Sequence, residues 1–184
     1  MNRTKMLRQS LLILLTVISF FACSKKSDNP VAPTTPSTEL KLTLGSQQLT
    51  FSQGIGGYAI QENVTYVQFT KAEAGDTLIF FLLTSGKQTG NQPWDSNQDT
   101  GVLLLQYGNS GTIIYSPSQG STNLTSYGNV GSSIAGSFSG TLVDDNQSQI
   151  SVSGNFSVQR SADVNTIGKK ISNDILNLIQ LVEM

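Results

Sequence analysis

The sequence predicts an all-β chain, an antiparallel β-sandwich or flattened barrel with a C-terminal helix. Three observations support this fold class. The chain has 17 glycines, it contains many short runs in which apolar and polar residues alternate, and its spacing becomes helical near the end. Alternation with a period of two is typical of half-buried strands, and glycine-rich breaks are typical of tight turns. We therefore expect about eight to ten short strands around one core.

Two segments precede the predicted β-domain, and the first resembles a secretory leader. Residues 1–22 combine a basic start with an apolar run at 11–22 that is too short to span a bilayer alone. Cys23 follows directly, as in leaders that end at a lipid-modified cysteine. The alternative is an ordinary secreted protein cleaved near Ala22. We favour lipidation because Cys23 is the only cysteine, and a free thiol would be reactive in an oxidising compartment.

The composition of residues 23–37 predicts a tether. Three of the five prolines lie here among serine and threonine. Such a composition cannot bury enough apolar surface to fold, and the prolines stiffen it. We expect a semi-rigid stalk that leads into a β-domain at 38–160.

The β-domain begins with a predicted hairpin and contains one strand that is apolar on both sides. Leucines alternate with polar residues at 40–44, and the chain turns at Gly45 into Phe51. A second strand region follows at 64–70. The run at 77–83 is apolar at consecutive positions, which favours a central strand covered on both faces.

The last two predicted strands form the clearest hairpin, on either side of a turn at 144–146. Each strand alternates apolar residues with serine, threonine or asparagine, as expected of a sheet with one wet face. One register lets each phenylalanine ring cover a glycine on the partner strand. It pairs Phe138 with Gly154 and Phe156 with Gly136.

The two strands of this hairpin carry a family resemblance. The segments Gly-Ser-Phe-Ser-Gly-Thr-Leu at 136–142 and Val-Ser-Gly-Asn-Phe-Ser-Val at 152–158 resemble the ending of small Bacteroidota outer-membrane lipoproteins of unknown function. The resemblance implies an all-β lipoprotein in the outer membrane, on its periplasmic or cell-surface face. It transfers no catalytic residue. The chain departs from that pattern by continuing beyond Val158.

The continuation, 161–184, changes to helical spacing. Asp163 or Asn165 could cap a helix there, although Gly168 weakens its first turn. We expect this helix to pack on the sheet or its open end, and the alternative is docking to a partner. The apolar positions recur at intervals of three and four: Val164, Ile167, Ile171, Ile175, Leu178 and Val182.

The composition excludes several classes of function. Histidine is absent, which excludes Ser-His-Asp and Cys-His catalysis and histidine-ligated metal sites. Because the single cysteine is assigned to the anchor, we expect no enzyme activity and no cofactor other than a candidate calcium ion. Lysine and arginine total 11 against 12 acidic residues, without the clustering that nucleic-acid binding needs.

One loop contains a candidate calcium site. Asp95, Asn97 and Asp99 place oxygen ligands at alternate positions, as a calcium loop does. The loop departs from that pattern at its sixth position, where Thr100 replaces glycine, and at its twelfth, where Gln106 replaces glutamate. The alternative is a plain Asx-rich turn between strands.

Trp94, the sole tryptophan, is the candidate ligand-binding residue. An exposed indole could stack on a sugar, or it could fold back over the edge of the core. The sequence therefore predicts a lipid-anchored envelope lipoprotein that acts as a binding or accessory module. Its partners would be the membrane, through the N-terminal lipid, and a glycan or an envelope protein. The alternative is a purely structural envelope lipoprotein without a dedicated ligand.

Replacement of Cys23 by alanine tests the anchor. If Cys23 carries the lipid, the Cys23→Ala chain should move from the membrane pellet to the supernatant after cell fractionation, because no acyl chain remains to bind the bilayer. Ser24→Ala, at the next residue, is the matched control, and this variant should stay in the membrane pellet. Membrane retention of the Cys23→Ala chain would contradict the prediction.

Overall fold

The computed structural model describes residues 37–167 except 96, 97 and 99. The leader, Cys23 and the tether up to residue 36 therefore lie outside the described residues. Within the described part the chain forms ten strands: β1 (Glu39–Leu44), β2 (Gln47–Phe51), β3 (Gln53–Ala59), β4 (Val64–Glu73), β5 (Asp76–Ser85), β6 (Gly90–Pro93), β7 (Gly101–Gly108), β8 (Ile113–Tyr127), β9 (Ser133–Val143) and β10 (Gln149–Gln159).

These strands form one antiparallel sheet that curls until it nearly closes. Its order is β2-β1-β10-β9-β8-β7-β5-β4-β3, and β6 pairs with β8 off this path. After β10 the chain pairs in parallel with β3, through bridges between Gly56 and Arg160 and between Ala59 and Val164. This pairing joins the edge strand β3 to the segment that follows β10, and the predicted all-β, barrel-like class is confirmed.

The 15-residue strand β8 pairs with three other strands. Its first residues pair with β7, its later residues pair with β6, and β9 accompanies it along most of its length. The register with β9 shifts twice, at Pro117/Gln119 and at Leu124/Ser126. Such irregularities bend a strand and increase its twist. Strand β8 therefore belongs to both halves of the curled sheet. One half contains β3, β4, β5 and β7, and the other contains β2, β1, β10, β9 and β6.

A row of phenylalanine rings crosses the main core and joins the two halves. The rings of Phe80 on β5 and Phe138 on β9 have centroids 5.1 Å apart. Phe80 also meets Phe69 edge-on at 6.4 Å, and Phe69 meets Phe51 in the same way at 6.4 Å. Phe156 extends the row from Phe138 at 6.4 Å. Aromatic pairs in these geometries add to the stabilisation that burial alone provides.

The structure confirms the predicted register of the β9–β10 hairpin. Phe138 lies opposite Gly154, and Phe156 lies opposite Gly136. A Cβ atom at Gly154 would lie 2.6 Å from Cζ of Phe138 and would also meet the carbonyl oxygen of Lys41. Glycine is therefore required there because the ring and the neighbouring strand fill the space above it.

The two short-range turns of the sequence prediction are also present. The opening hairpin pairs β1 with β2, with Gly45 in the turn at a φ of 59°. In the β9–β10 turn, the carboxylate of Asp144 accepts hydrogen bonds from the backbone N–H groups of Asn146 and Ser148, at 2.9 and 2.7 Å. This is the side-chain chemistry that makes aspartate a turn former.

Strand β5 is covered on both faces, as its apolar run predicts. Phe80 and its alternate neighbours enter the main core. On the other side, Ile79 is 4% exposed and Phe81 is 3% exposed. These two residues form an outer cluster with Leu105 on β7, and the partly buried side chains packed against it are Leu103, Tyr107 and Ile114.

The prediction of a helix that begins at Asp163 or Asn165 is wrong for residues 163–167, and 168–184 lie outside the described residues. The backbone N–H of Val164 donates to the carbonyl of Tyr58 at 2.8 Å, and its carbonyl accepts from Ile60 at 2.9 Å. These bonds extend the pairing with β3. The carbonyl of Val164, which a helix would need as an acceptor, is therefore bonded to the chain after Tyr58, and no helix forms at 163–167.

The contact between Phe138 and Gly154 can be tested by adding one methyl group. Gly154→Ala should lower the free energy of unfolding by about 2 kcal/mol. The added methyl group would overpack a filled site and force the ring of Phe138 or the backbone of the neighbouring strand to move. Urea unfolding measures the change. Ser151→Ala is the matched control, since that exposed side chain lies on the same strand and its loss should cost under about 0.5 kcal/mol. Equal stabilities for the two variants would contradict the packing.

Candidate functional site

The outer surface of six adjacent strands forms a continuous polar face. Because side chains alternate along a strand, the residues between the core positions point away from the core. The registers align these outward residues across β2, β1, β10, β9, β8 and β6 into two rows, which together we call the polar face. The first row is Thr50, Lys41, Asn155, Ser137, Asn123 and Asn91; the second is Gln48, Thr43, Ser153, Ser139 and Ser121.

The polar face is the floor of an open groove. The groove has a volume of about 770 Å³, and every residue of both rows lines it. Six strands separated by about 4.8 Å make the first row about 24 Å long, and the second row runs parallel to it about 7 Å away. The groove is therefore long and open, with polar groups at regular intervals.

The chemistry of the groove is almost entirely uncharged. Hydroxyl and amide side chains make up both rows except for Lys41, which forms a 3.4 Å ion pair with Glu39. Both members of this pair are largely exposed, so it contributes little to stability. Hydroxyl and amide groups donate and accept hydrogen bonds. The groove can thus recognise a ligand that carries many donors and acceptors and no net charge.

The core beneath the polar face holds it in place. Phe138 and Leu142 fill the inner side of β9, while Ser137 and Ser139 alternate with them on the outer side. Serine side chains are short, so they lose little rotamer freedom on binding and leave the strand backbone accessible. The face is therefore preorganised by the packing behind it.

Trp94 does not lie on the polar face but covers the edge of the core. Its indole N–H donates to the hydroxyl of Thr122 at 2.9 Å. One side of the ring faces Gly120 and Gly140, where an added Cβ would lie 2.6 Å from the Cε3 atom of the indole at Gly120. The ring is half-buried and packs against the main core. The indole N–H is consequently not free to recognise a ligand.

A smaller groove of about 260 Å³ lies beside Trp94 and the loop that follows it. The carbonyl of Asp95 accepts bonds from the N–H groups of Gln98 and Thr100, at 3.1 and 3.0 Å. The hydroxyl of Thr100 accepts a bond from the N–H of Asp95 at 3.0 Å. These bonds close a tight turn.

The candidate calcium site stays a prediction, because two of its residues, Asn97 and Asp99, lie outside the described residues. Among the residues that are described, no group of three or more histidine, cysteine, aspartate or glutamate side chains is arranged to hold a metal ion.

The carboxylates with shifted pKa values lie away from the groove. The hydrogen bond from Lys87 to Asp163, 2.7 Å long, is the main cause of the lowered pKa of Asp163, and the charge of Arg160 adds to it. Hydrogen bonds from Ser110 lower the pKa of Asp76 in the same direction. A depressed pKa means that each carboxylate stabilises the fold above its ordinary pKa and loses that contribution as the pH falls. These groups therefore hold loops and the tail in place.

The polar face is only partly predictable from the sequence. Alternation on β9 and β10 predicts outward hydroxyls, but it does not show which other strands adjoin them. The polar face exists because β1 lies beside β10, far apart in sequence, and β6 attaches to β8. A pattern read along one strand cannot supply this cross-strand order.

The fold and groove define an all-β protein with an extended polar surface. No protein-family model, curated protein or solved structure matches the chain. Over the described residues, the chain has no helix that is both long enough and apolar enough to cross a membrane.

Replacement of Trp94 tests its role at the edge of the core. Trp94→Ala should lower the free energy of unfolding by about 3 kcal/mol, because it leaves a cavity against Gly120 and Gly140. Trp94→Phe should cost less, since a smaller ring still packs on the glycines although the bond to Thr122 is lost. Urea unfolding checks both. Gln98→Ala, in the same loop and exposed, should be neutral; a neutral Trp94→Ala would instead place the indole outside the packed core.

Proposed function

We propose that this protein is a lipid-anchored envelope lipoprotein whose β-domain binds a neutral glycan along the polar face. The observation that carries the proposal is the pair of aligned rows of hydroxyl and amide side chains in a groove of about 770 Å³. A sugar chain presents hydroxyl groups at every unit and no net charge when it is neutral. The lining of the groove matches that chemistry along its whole length.

A glycan fits the polar face better than a folded protein partner does. Protein interfaces depend on a few buried anchors, most often tryptophan, tyrosine or arginine. The residues that line the groove include no such side chain, and its one aromatic member, Phe138, is only 4% exposed. A protein partner would gain little from such a surface.

The dimensions of the rows favour an oligosaccharide over a single sugar. A net hydrogen bond contributes about 0.5–1.5 kcal/mol, and an open groove offers little apolar area to bury. Several contacts along a row of about 24 Å are therefore needed for useful affinity. We expect weak binding by each domain that becomes effective when many copies face one polymer.

The proposed anchor suits this mode of binding. Cys23 would carry the lipid, and the proline-containing tether that follows would reach about 45 Å if fully extended. Such a reach would hold the groove away from the bilayer on the periplasmic or cell-surface side. Many copies on one membrane would then meet the same polymer.

The full chain, solubilised in detergent, can be screened on an array of neutral and acidic oligosaccharides. We expect retention of neutral chains of several units and none of the corresponding monosaccharides. In the double variant Asn123→Ala/Asn155→Ala, calorimetry with the best neutral oligosaccharide should show affinity reduced about 10-fold or more, because two contacts in the first row are lost.

The matched control is the double variant Gln53→Ala/Thr112→Ala, which changes two exposed residues outside the groove. It should bind as the unchanged chain does, and both double variants should unfold at the same temperature. Equal affinity for the groove and control variants would refute the polar face as the site. Failure of the unchanged chain to bind any neutral oligosaccharide at millimolar concentration would favour a purely structural lipoprotein.

A further inference from the structure

Strand β2 is an open edge of the sheet in the described part of the protein. It pairs with β1 on one side, and no described strand pairs with its other side. The opposite end of the sheet, β3, is instead joined to the chain after β10 by the bridges at Gly56 and Ala59. Strand β2 therefore offers backbone groups to which a further strand can bind.

The backbone groups on this open edge belong to Gln48 and Thr50. The N–H and C=O groups of successive residues alternate between the two sides of a strand. The N–H of Gly45 donates to a carbonyl of β10 at 2.8 Å, so the groups of Leu44, one residue earlier, are directed toward β2. Leu44 pairs with Gln47, whose groups therefore point to β1. The alternation then directs the groups of Gln48 and Thr50 to the open edge.

The open edge lacks the features that commonly block strand addition. Those features are charged side chains, proline and bulges. The sequence of β2 is Gln-Gln-Leu-Thr-Phe, which has neither charge nor proline, and its register with β1 is continuous. Strand β6, which pairs only with β8, differs because it ends in Pro93. The edge of β2 is thus suited to pair with another strand.

Two copies of β2 are complementary to each other in an antiparallel register centred on Leu49. In this register Gln48 of each copy lies opposite Thr50 of the other. These are the residues whose backbone groups point to the edge, so both pairs are hydrogen-bonded, with about four bonds in all. A register shifted by two residues keeps only one such pair within β2. The centred register therefore uses every backbone group on the edge.

We propose that the open edge of β2 is a self-association surface, at which β2 of one copy pairs with β2 of a second copy. The pairing is a two-fold rotation, so the same surface serves both copies. Because Gln48 and Thr50 carry no charge, two identical edges meet without repulsion. A five-residue strand buries little area, so the association is weak in solution and becomes stronger when the copies are held on one surface.

The pairing also joins the two polar faces on the same side of the combined sheet. Thr50 ends the first row and Gln48 ends the second row, so each row of one copy continues into the other row of the second copy. A joined row is about 48 Å long at about 4.8 Å between strands. This consequence for ligand binding rests on the proposed glycan function, whereas the pairing of the edges does not.

Proline at position 50 tests the pairing, because it removes an N–H group from the open edge and leaves the bonds to β1 in place. The full chain in detergent can be studied by sedimentation equilibrium. The unchanged chain and the matched control Thr50→Ala should dimerise equally. Thr50→Pro should dimerise at least about 10-fold more weakly, since residue 50 takes part in both hydrogen-bonded pairs. Equal dimerisation of the proline and alanine variants, or a monomeric unchanged chain, would overturn the proposal.

Cysteine crosslinking tests the register without a change in the backbone. Opposite residues of a hydrogen-bonded pair have Cα atoms about 5.5 Å apart, within reach of a disulfide. Full chains with Gln48→Cys and with Thr50→Cys, expressed together in cells and oxidised, should form linked dimers above the background of the unchanged chain, whose only cysteine is Cys23. Thr50→Cys alone should not, because its two copies lie diagonally and too far apart.

Three results of the crosslinking would contradict self-association through β2. They are equal linkage from Thr50→Cys alone, linkage to a different protein, and no linkage between the two mixed chains. Neither the sedimentation nor the crosslinking uses a glycan, so a negative result would leave the proposed glycan binding intact.

Discussion

The contact between the ring of Phe138 and the backbone of Gly154 is the constraint on which the rest of the structure depends. It fixes the register of β9 and β10, and a slip of one residue would turn every side chain of either strand to the opposite face. The same ring touches Phe80 across the core, so the contact also sets how the two halves of the sheet approach each other. Without this register the serines of β9 and β10 would enter the core and the polar face would not exist.

The protein uses its two sheet surfaces in different ways. On β2, β1, β10, β9, β8 and β6 the outside is polar and open, with one charged residue among those that line the groove. On β5 and β7 the outside is apolar, and Ile79 and Phe81 are almost fully buried. Both surfaces are built on the same main core, so the specialisation comes only from the residues at outward positions.

The parts of the fold that were predictable from sequence are those set by neighbours along the chain. The turn at Asp144, the Phe138–Gly154 register and the two-faced strand β5 follow from local chemistry or from the matching of adjacent strands. The helix predicted to start at Asp163 failed at 163–167 because bonds to β3, about one hundred positions earlier, take the backbone groups of Val164. The polar face was only partly predicted because it too depends on pairing between segments that are far apart in sequence. Its rows form only because β1 lies beside β10. Trp94 was ambiguous because only the structure shows Thr122 and the two glycines beneath it.

The position of β1 has a mechanical consequence. Everything before Ser37 connects to the domain through this strand, which is paired on one side with β2 and on the other with β10. A pull along β1 from its first residue loads many cross-strand hydrogen bonds at the same time, whereas a pull on an edge strand can open them one after another. Extraction of the strand that joins the domain to the preceding chain thus requires bonds on both of its sides to fail together. Under the proposed function, tension between the tether and a bound glycan would run along β1, and the domain would resist unfolding under that tension.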